Sequence, residues 1–184
     1  IVDGAASGAA WEWGSTPAAM STSLVFTSIE AGRNHSCGLT AVGTAYCWGE
    51  NQDGELGNGF GGIASAPPVM VLGGHTWAQV RPGGNSTCGV TTNGQGYCWG
   101  NNARGQLGDG STTESLVPVP VTAGETWTTI DPGGAFACGV TTSGAGLCWG
   151  NNFYGNLGNG SKHNSTNVAQ TSRTQISGGH SWSK

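Results

Sequence analysis

The stretch Cys37-Gly38-Leu39-Thr40 is followed by Tyr46-Cys47-Trp48-Gly49, and both pieces return twice further along the chain. The later copies are Cys88-Gly89-Val90-Thr91 with Tyr97-Cys98-Trp99-Gly100, and Cys138-Gly139-Val140-Thr141 with Leu147-Cys148-Trp149-Gly150. The first cysteines of the three copies are 51 and 50 residues apart, and the second cysteines repeat that spacing. A fixed period in this range indicates a repeat architecture in which each copy forms one similar unit.

Each copy predicts a small antiparallel sheet of about four strands. Strand one is an apolar alternation such as Trp77-Ala78-Gln79-Val80, and strands two and three form a hairpin around a glycine such as Gly94. Strand four is a proline-bearing run such as Val117-Pro118-Val119-Pro120-Val121. Proline cannot donate a ladder hydrogen bond, so this strand is expected at an outer edge. A four-stranded unit repeated every 50 residues or so predicts an all-β fold of β-propeller blades.

The repeats divide the chain into parts of one propeller-type domain, expected over residues 1–184. Three whole blades are expected at about 24–72, 73–122 and 123–172. The remaining residues, 1–23 and 173–184, are expected to form the two parts of one split blade.

Charge and hydropathy exclude several classes of protein. Only 9% of the 184 residues are charged, and the formal net charge is −4, which argues against a nucleic-acid partner because such a partner requires a basic face. No apolar run approaches the length of a membrane-spanning helix. We therefore expect neither a nucleic-acid partner nor a membrane span.

The full motif resembles the repeat of the regulator of chromosome condensation family of β-propellers. It runs Gly-x-x-x-Ser/Thr-Cys-Gly-Leu/Val-Thr … Tyr-Cys-Trp-Gly-x-Asn-x-x-Gly-x-Leu-Gly-Asn/Asp-Gly and extends over roughly residues 24–184. The resemblance implies a propeller fold, of seven blades in typical members. Functions in that family include guanine nucleotide exchange, enzyme inhibition and protein scaffolding, so the resemblance implies no single activity.

The cysteines of each hairpin are ten residues apart with the turn midway between them, so they should face each other across adjacent strands. The predicted disulfides are Cys37–Cys47, Cys88–Cys98 and Cys138–Cys148. Paired cysteines are typical of an oxidising compartment, which predicts an extracellular or cell-surface protein. The C-x-x-C spacing of a zinc site is absent, and neither a metal nor a cofactor is expected.

Four Asn-x-Ser/Thr sequons are compatible with secretion and glycosylation. Their asparagines are Asn34, Asn85, Asn159 and Asn164.

The two ends of the chain resemble parts of a blade. Residues 176–184 align with residues 29–37, and residues 10–14 align with residues 45–49. In this alignment Lys184 and Glu12 take the places of a disulfide pair. The residues expected to close the split blade are Trp11, Glu12, Trp13, Ile176, His180, Trp182 and Lys184. The blade closes either within one chain or between chains, and closure between chains would give a ring, a filament or a tube.

These observations predict a non-enzymatic, secreted structural protein that self-associates into a homo-oligomer or polymer through the split blade. The alternative is a secreted propeller module that binds a protein or a glycan as a discrete particle, with Phe60, Phe153 and Tyr154 as contact residues. No catalytic residue is expected. The histidines have no neighbouring nucleophile, and the loop carboxylates, such as Asp53 and Glu55, have no counterparts in the third copy.

Overall fold

The computed structural model describes residues 24–122, 124–162 and 169–178 in full, and the backbone of residues 11–13 and 17–19. These parts of the chain form fourteen β-strands. They contain no helix that could span a membrane.

Twelve of the strands in the described residues form three four-stranded antiparallel sheets. The short strands β1 (Trp11–Trp13) and β2 (Pro17–Ala19) pair with each other ahead of them. The first sheet contains β3 (Phe26–Ala31), β4 (His35–Thr40), β5 (Ala45–Gly49) and β6 (Ser65–Met70). The second contains β7 (Trp77–Pro82), β8 (Ser86–Thr91), β9 (Gly96–Gly100) and β10 (Ser115–Pro120). The third contains β11 (Trp127–Pro132), β12 (Phe136–Thr141), β13 (Gly146–Gly150) and β14 (Gln170–Gln175). Each sheet is a simple meander, which confirms the predicted all-β blades.

The proline-bearing strands lie where the sequence predicts them. Strands β6 and β10 each pair with one neighbour only, so they form the outer edge of their sheets. At this edge, a missing N–H leaves no partner unsatisfied.

The three predicted disulfides are present. Each joins directly opposed residues of strands two and three, with a Cα–Cα distance of 4.1 Å. This geometry is close to that of a non-hydrogen-bonded pair in an antiparallel ladder. The hairpin register alone therefore brings the cysteines together.

Two clusters of the hydrophobic core lie between blades, and a third, around Phe26 and Trp48, lies on the first blade alone. One cluster combines Cys37, Leu39 and Leu56 of the first blade with Trp77 and Trp99 of the second. A second cluster repeats this arrangement between the second and third blades, with Leu107 against Trp127 and Trp149. A single sheet has no second layer to bury its apolar side chains, so each blade depends on a neighbouring blade to cover them.

The end of the third blade differs from the prediction. Strand β14 continues to Gln175, and the N–H of Ile176 donates to the carbonyl of Gly146. Val71 and Val121 make the same hydrogen bond in the first and second blades. Ile176 thus ends the third blade, and residues 173–176 do not belong to a split blade.

The cause is a longer loop before β14. Val121 follows Val71 by 50 residues, but Ile176 follows Val121 by 55. The predicted alignment of Ile176 with Ile29 is therefore wrong, and residues 179–184 of that alignment lie outside the described residues. The sequence from Ile176, Ile-Ser-Gly-Gly-His-Ser-Trp, is similar to Val71-Leu72-Gly73-Gly74-His75-Thr76-Trp77.

The other end residues of the predicted split blade are only partly described. His180, Trp182 and Lys184 lie outside the described residues. Trp11, Glu12 and Trp13 form β1, which pairs antiparallel with β2 in a two-stranded sheet.

Replacement of Ile130 by alanine tests the core between blades. We call the interface between the first and second blades the first joint and that between the second and third blades the second joint. Ile130 is 0% exposed in the second joint, whereas Ile29, at the same position of the first blade, is 39% exposed. We expect I130A to lower the free energy of unfolding by about 3 kcal/mol and I29A by less than about 1 kcal/mol, measured by urea titration. Equal losses from the two variants would contradict a core built at the joints.

Candidate functional site

One end of the sheets carries all the long loops. Antiparallel strands alternate in direction, so the turns between strands one and two emerge at the same end as the loops between strands three and four. This loop end includes the turns at 32–34, 83–85 and 133–135 and the loops that start at residues 50, 101 and 151. Phe60, Phe153 and Tyr154, the predicted contact residues, lie in these loops.

A buried asparagine organises each of the long loops. The Oδ1 of Asn51 accepts the N–H of Leu56 at 3.0 Å, and its Nδ2 donates to the carbonyl of Phe60 at 2.9 Å. Asn102 and Asn152 accept equivalent N–H groups at 3.0 Å. All three side chains are buried. This asparagine recurs two residues after each Trp-Gly pair, but it was not among the residues predicted to be functional.

The first and second of these loops also bind the next blade. The carbonyl of Glu55 accepts the indole N–H of Trp99 at 2.8 Å, and the carbonyl of Gln106 accepts that of Trp149 at 2.9 Å. Gly57 has a φ of 65°, and a Cβ there would lie 2.7 Å from the Trp99 Nε1. Only glycine allows the loop to pass this close to the indole ring.

The first joint contains a buried histidine. The Nε2 of His35 lies 2.8 Å from the Oγ1 of Thr87, and that hydroxyl donates to the carbonyl of Glu55 at 2.7 Å. Because the hydroxyl hydrogen is used on Glu55, Nε2 of His35 must carry the proton that joins the pair. Burial lowers the pKa of His35 to about 4, so the ring is neutral at physiological pH. This arrangement links two blades, and the Thr87 hydroxyl directs its hydrogen to Glu55 rather than to the ring.

Glu55 occupies a site that suits an amide. In the second blade, Gln106 accepts the N–H of Arg104 at 2.8 Å and donates from Nε2 to Asn101 at 2.7 Å. Glu55 repeats the first contact by accepting the N–H of Asp53 at 3.0 Å, but its buried Oε1 has no partner among the described residues. Burial raises the pKa of Glu55, and the nearby carboxylates of Asp53 and Glu50 raise it further.

The first loop exposes apolar side chains. Phe60 is 70% exposed and Ile63 is 78% exposed, although this blade is followed by a packed neighbour. The second loop has Ser111-Thr112-Thr113-Glu114 in the corresponding stretch. Ile63 was not predicted as a contact residue, because composition alone does not distinguish an exposed isoleucine from a core one.

The third loop brings the other two predicted contact residues together. The rings of Phe153 and Tyr154 meet edge to face, with their centroids 4.8 Å apart. Tyr154 is 85% exposed. These two residues form a patch on a different blade from Phe60.

Three candidate glycosylation sites lie at the loop end. Asn34 is exposed and donates to Glu50 at 2.7 Å, whereas Asn85 is half-buried and donates to Asp53 at 3.0 Å. The Oδ1 of Asn159 accepts the N–H of Ser161 at 3.1 Å. Asn164 lies outside the described residues. Within the described ranges, no three His, Cys, Asp or Glu side chains form a group that could hold a metal ion.

Replacement of Glu55 by glutamine should stabilise the protein at pH 7. Glutamine would replace the unpartnered Oε1 by an N–H donor, as in Gln106 of the second blade, and would remove the buried carboxylate. We expect the free energy of unfolding to rise by about 1–2 kcal/mol, measured by urea titration. The raised pKa means that the folded state holds the Glu55 proton more tightly, so the wild type should regain stability relative to E55Q as the pH falls through that pKa. The matched control is Gln106→Glu, which should destabilise the second joint at pH 7; a stabilising Q106E or a destabilising E55Q would contradict this account.

Replacement of His35 by serine, the residue at the same place in the second blade, should change the acid response. A pKa lowered from 6.5 to about 4 means that the unfolded state binds more protons between these values, so stability falls as the pH drops from 6.5 to 4. In an E55Q background, which removes the opposing effect of Glu55, we expect this loss to reach about 3 kcal/mol and to vanish in H35S. Urea titrations at pH 7, 5.5 and 4 measure it, and the same loss in both variants would refute the role of His35.

Comparison with known proteins agrees with this architecture. Two family models, both described as the regulator of chromosome condensation (RCC1) repeat, match this chain. The first matches residues 26–55 and 79–106, and the second matches residues 93–145. The X-linked retinitis pigmentosa GTPase regulator homolog of Caenorhabditis elegans is 37% identical over 82 residues, which are 44% of this chain and 6% of that protein. The Protein RCC2 homolog of Danio rerio is 36% identical over 84 residues, 45% of this chain and 17% of that protein.

Two solved structures resemble the fold. Human WBSCR16 superposes with a TM-score of 0.75 at 24% identity and covers 89% of this chain, which spans 41% of that one. Prp20p of Saccharomyces cerevisiae also gives 0.75, at 17% identity, with coverage of 89% and 40%. The chain thus spans less than half the length of these relatives. The matched models together cover more than half of the chain, and the chain belongs to the regulator of chromosome condensation (RCC1) repeat family of β-propellers.

Proposed function

We propose that this chain is a non-enzymatic protein-binding module whose contact surface is centred on Phe60 and Ile63. The observation that carries the proposal is the exposure of these two large apolar side chains on a loop anchored by the buried Asn51. Water-exposed aromatic side chains on a rigid frame are suited to binding, because little conformational entropy is lost when they are covered.

The relatives support a protein partner over a glycan. Prp20p of yeast binds Gsp1p and histones, and yeast RCC1 has been solved bound to Kap60. Propellers of this repeat type therefore provide surfaces for other proteins. Phe60 and Ile63 of the first-blade loop are exposed, whereas the second copy has Ser111 and Glu114 at the corresponding places.

We also propose that the module works outside the cell or at its surface. All six cysteines are joined in three disulfides, and such pairs persist in oxidising compartments. Glycosylation at Asn34, which is exposed, fits the same location. Mass spectrometry of the protein from its native source, before and after reduction and deglycosylation, would measure both modifications.

A crosslinking experiment tests the binding surface. We expect a photoreactive phenylalanine at position 60 to capture one protein from the native source, and the same group at Val42 to capture none. Val42 is exposed in a hairpin turn at the opposite end of the first sheet, so it is a matched control. The double change F60S and I63T should weaken binding of the identified partner at least tenfold, with an unchanged melting temperature.

Capture at position 42 as strongly as at position 60, or full binding by the double variant, would contradict the proposal. Binding to a glycan array that depends on Phe60 would replace the protein partner by a glycan.

Self-association is a second candidate, and uncovered residues at the two ends of the described stack favour it. Ile29 of the first blade is partly exposed, and Asn156 of the third is exposed, whereas their counterparts in the two joints are buried. Each of these surfaces carries one side of a blade–blade interface, against which a blade of another chain would pack. Light scattering of the purified protein separates the candidates, since a particle with the mass of one chain excludes the assembly.

A further inference from the structure

The chain contains three Asn-Gly pairs, and the fold places them in different surroundings. They are Asn58-Gly59, Asn93-Gly94 and Asn159-Gly160. An asparagine followed by glycine can modify itself, because the backbone nitrogen of the glycine can attack the side-chain amide carbon and glycine has no Cβ to obstruct the approach. Such a reaction requires no reagent other than water.

The attacking nitrogen is held by a hydrogen bond in two of the three pairs. The N–H of Gly59 donates to the carbonyl of Leu116 in the next blade at 3.0 Å, and the N–H of Gly94 donates to the carbonyl of Thr91 at 2.9 Å. The nitrogen gives up this hydrogen when it attacks, so the hydrogen bond has to open first. Among the described residues, the N–H of Gly160 has no acceptor that would hold it.

Access of water to Gly160 does not depend on what packs against the third blade. Gly160 is exposed, and Gly110, at the same place in the second loop, is exposed as well, although the third blade packs against the second. Within the described ranges, the N–H of Gly110 also has no acceptor. The place of this glycine in the loop therefore leaves its nitrogen available even beside a packed neighbour.

The side-chain oxygen of Asn159 accepts more hydrogen bonds than its two counterparts. Its Oδ1 accepts the Nδ2 group of Asn152 at 3.3 Å, the N–H of Ser161 at 3.1 Å and the hydroxyl of Ser161 at 2.8 Å. The Oδ1 of Asn58 accepts two N–H groups, at 3.4 and 3.2 Å, and that of Asn93 accepts one hydroxyl. Negative charge develops on this oxygen when the amide carbon is attacked, and donors already aimed at it stabilise the intermediate.

We propose that Asn159 is a self-modification site, at which the backbone nitrogen of Gly160 closes a succinimide ring on the asparagine side chain. The new bond joins this nitrogen to Cγ of Asn159. The bond from Cγ to Nδ2 breaks, and Nδ2 leaves as ammonia with the proton given up by Gly160. One water then opens the ring at either carbonyl and leaves aspartate or isoaspartate, and no atom is oxidised or reduced.

The second loop shows that the fold accepts the aspartate product. Asp109 stands at this place, and its Oδ1 accepts the Nδ2 group of Asn102 at 3.1 Å and the N–H of Ser111 at 2.9 Å. Aspartate at position 159 can therefore keep the contacts of the third loop while it adds a negative charge. Isoaspartate instead inserts a carbon into the backbone, which shifts the loop that Asn152 organises.

The reaction also competes with glycosylation. Asn159 is one of the sequon asparagines, and a glycan would be attached to its Nδ2. Both products lack this nitrogen, so a chain that has reacted can no longer be glycosylated at this position.

Peptide mapping by mass spectrometry tests the proposal on folded protein produced without glycosylation and incubated at neutral pH. We expect Asn159 to convert at least about tenfold faster than Asn58 and Asn93, whose glycine N–H groups are bonded. In the reduced, unfolded chain the three rates should lie within about threefold of one another, because the hydrogen bonds that distinguish the pairs are lost.

Two variants examine the parts of the site. Ser161→Ala removes a donor to Oδ1 and should slow the conversion of Asn159 about fivefold. Asp109→Asn places an asparagine before Gly110 and Ser111 in the second loop, and this position should convert at a rate close to that of Asn159.

Three results would overturn the proposal. The first is equal conversion of the three asparagines in the folded chain, and the second is an advantage of Asn159 that persists after unfolding. The third is an unchanged rate at Asn159 in S161A together with an unreactive second loop in D109N.

Discussion

A buried indole N–H requires an acceptor, and this requirement holds the blades together. Trp99 and Trp149 are completely enclosed, and an N–H left unpaired inside a protein costs about 1–3 kcal/mol. The acceptor in each case is a loop carbonyl of the preceding blade, so that loop must pass close to the ring, and Gly57 and Gly108 leave the room for it. The buried asparagine of the loop then fixes the carbonyl in place. Tryptophan, glycine and asparagine recur together because each depends on the other two.

The two joints share this frame but differ in chemistry. The first uses His35, Thr87 and Glu55, whereas the second has Ser86, Ala137 and Gln106 at those positions. Ala137 offers no hydroxyl, and the buried Oγ of Ser86 has no partner among the described residues. The first joint therefore contains two buried ionisable groups whose pKa values are shifted in opposite senses, whereas the second has serine and glutamine in their places. A repeat can thus keep one backbone and still give each joint its own response to pH.

The sequence predicts local features of this fold well, because they depend on short-range pattern. Cysteine spacing predicted the hairpins, and the prolines predicted the edge strands β6 and β10. Ile176 was misplaced because its register depends on a loop that is five residues longer than its counterpart, and a fixed period cannot reveal such a change. Asn51 and Ile63 were missed because burial depends on which segment packs alongside. The first is a polar residue inside the protein and the second an apolar residue outside it, which reverses the usual correspondence between residue type and environment.

The positions of the disulfides have a mechanical consequence. Each one closes a hairpin within a blade, and no disulfide crosses from one blade to the next, since all six cysteines are used inside the hairpins. Tension along the chain would act on hydrogen bonds and apolar contacts at the joints while the covalent crosslinks keep every hairpin closed. The molecule would lengthen in steps, one blade at a time, and the residues between each pair of cysteines would add nothing to its extended length.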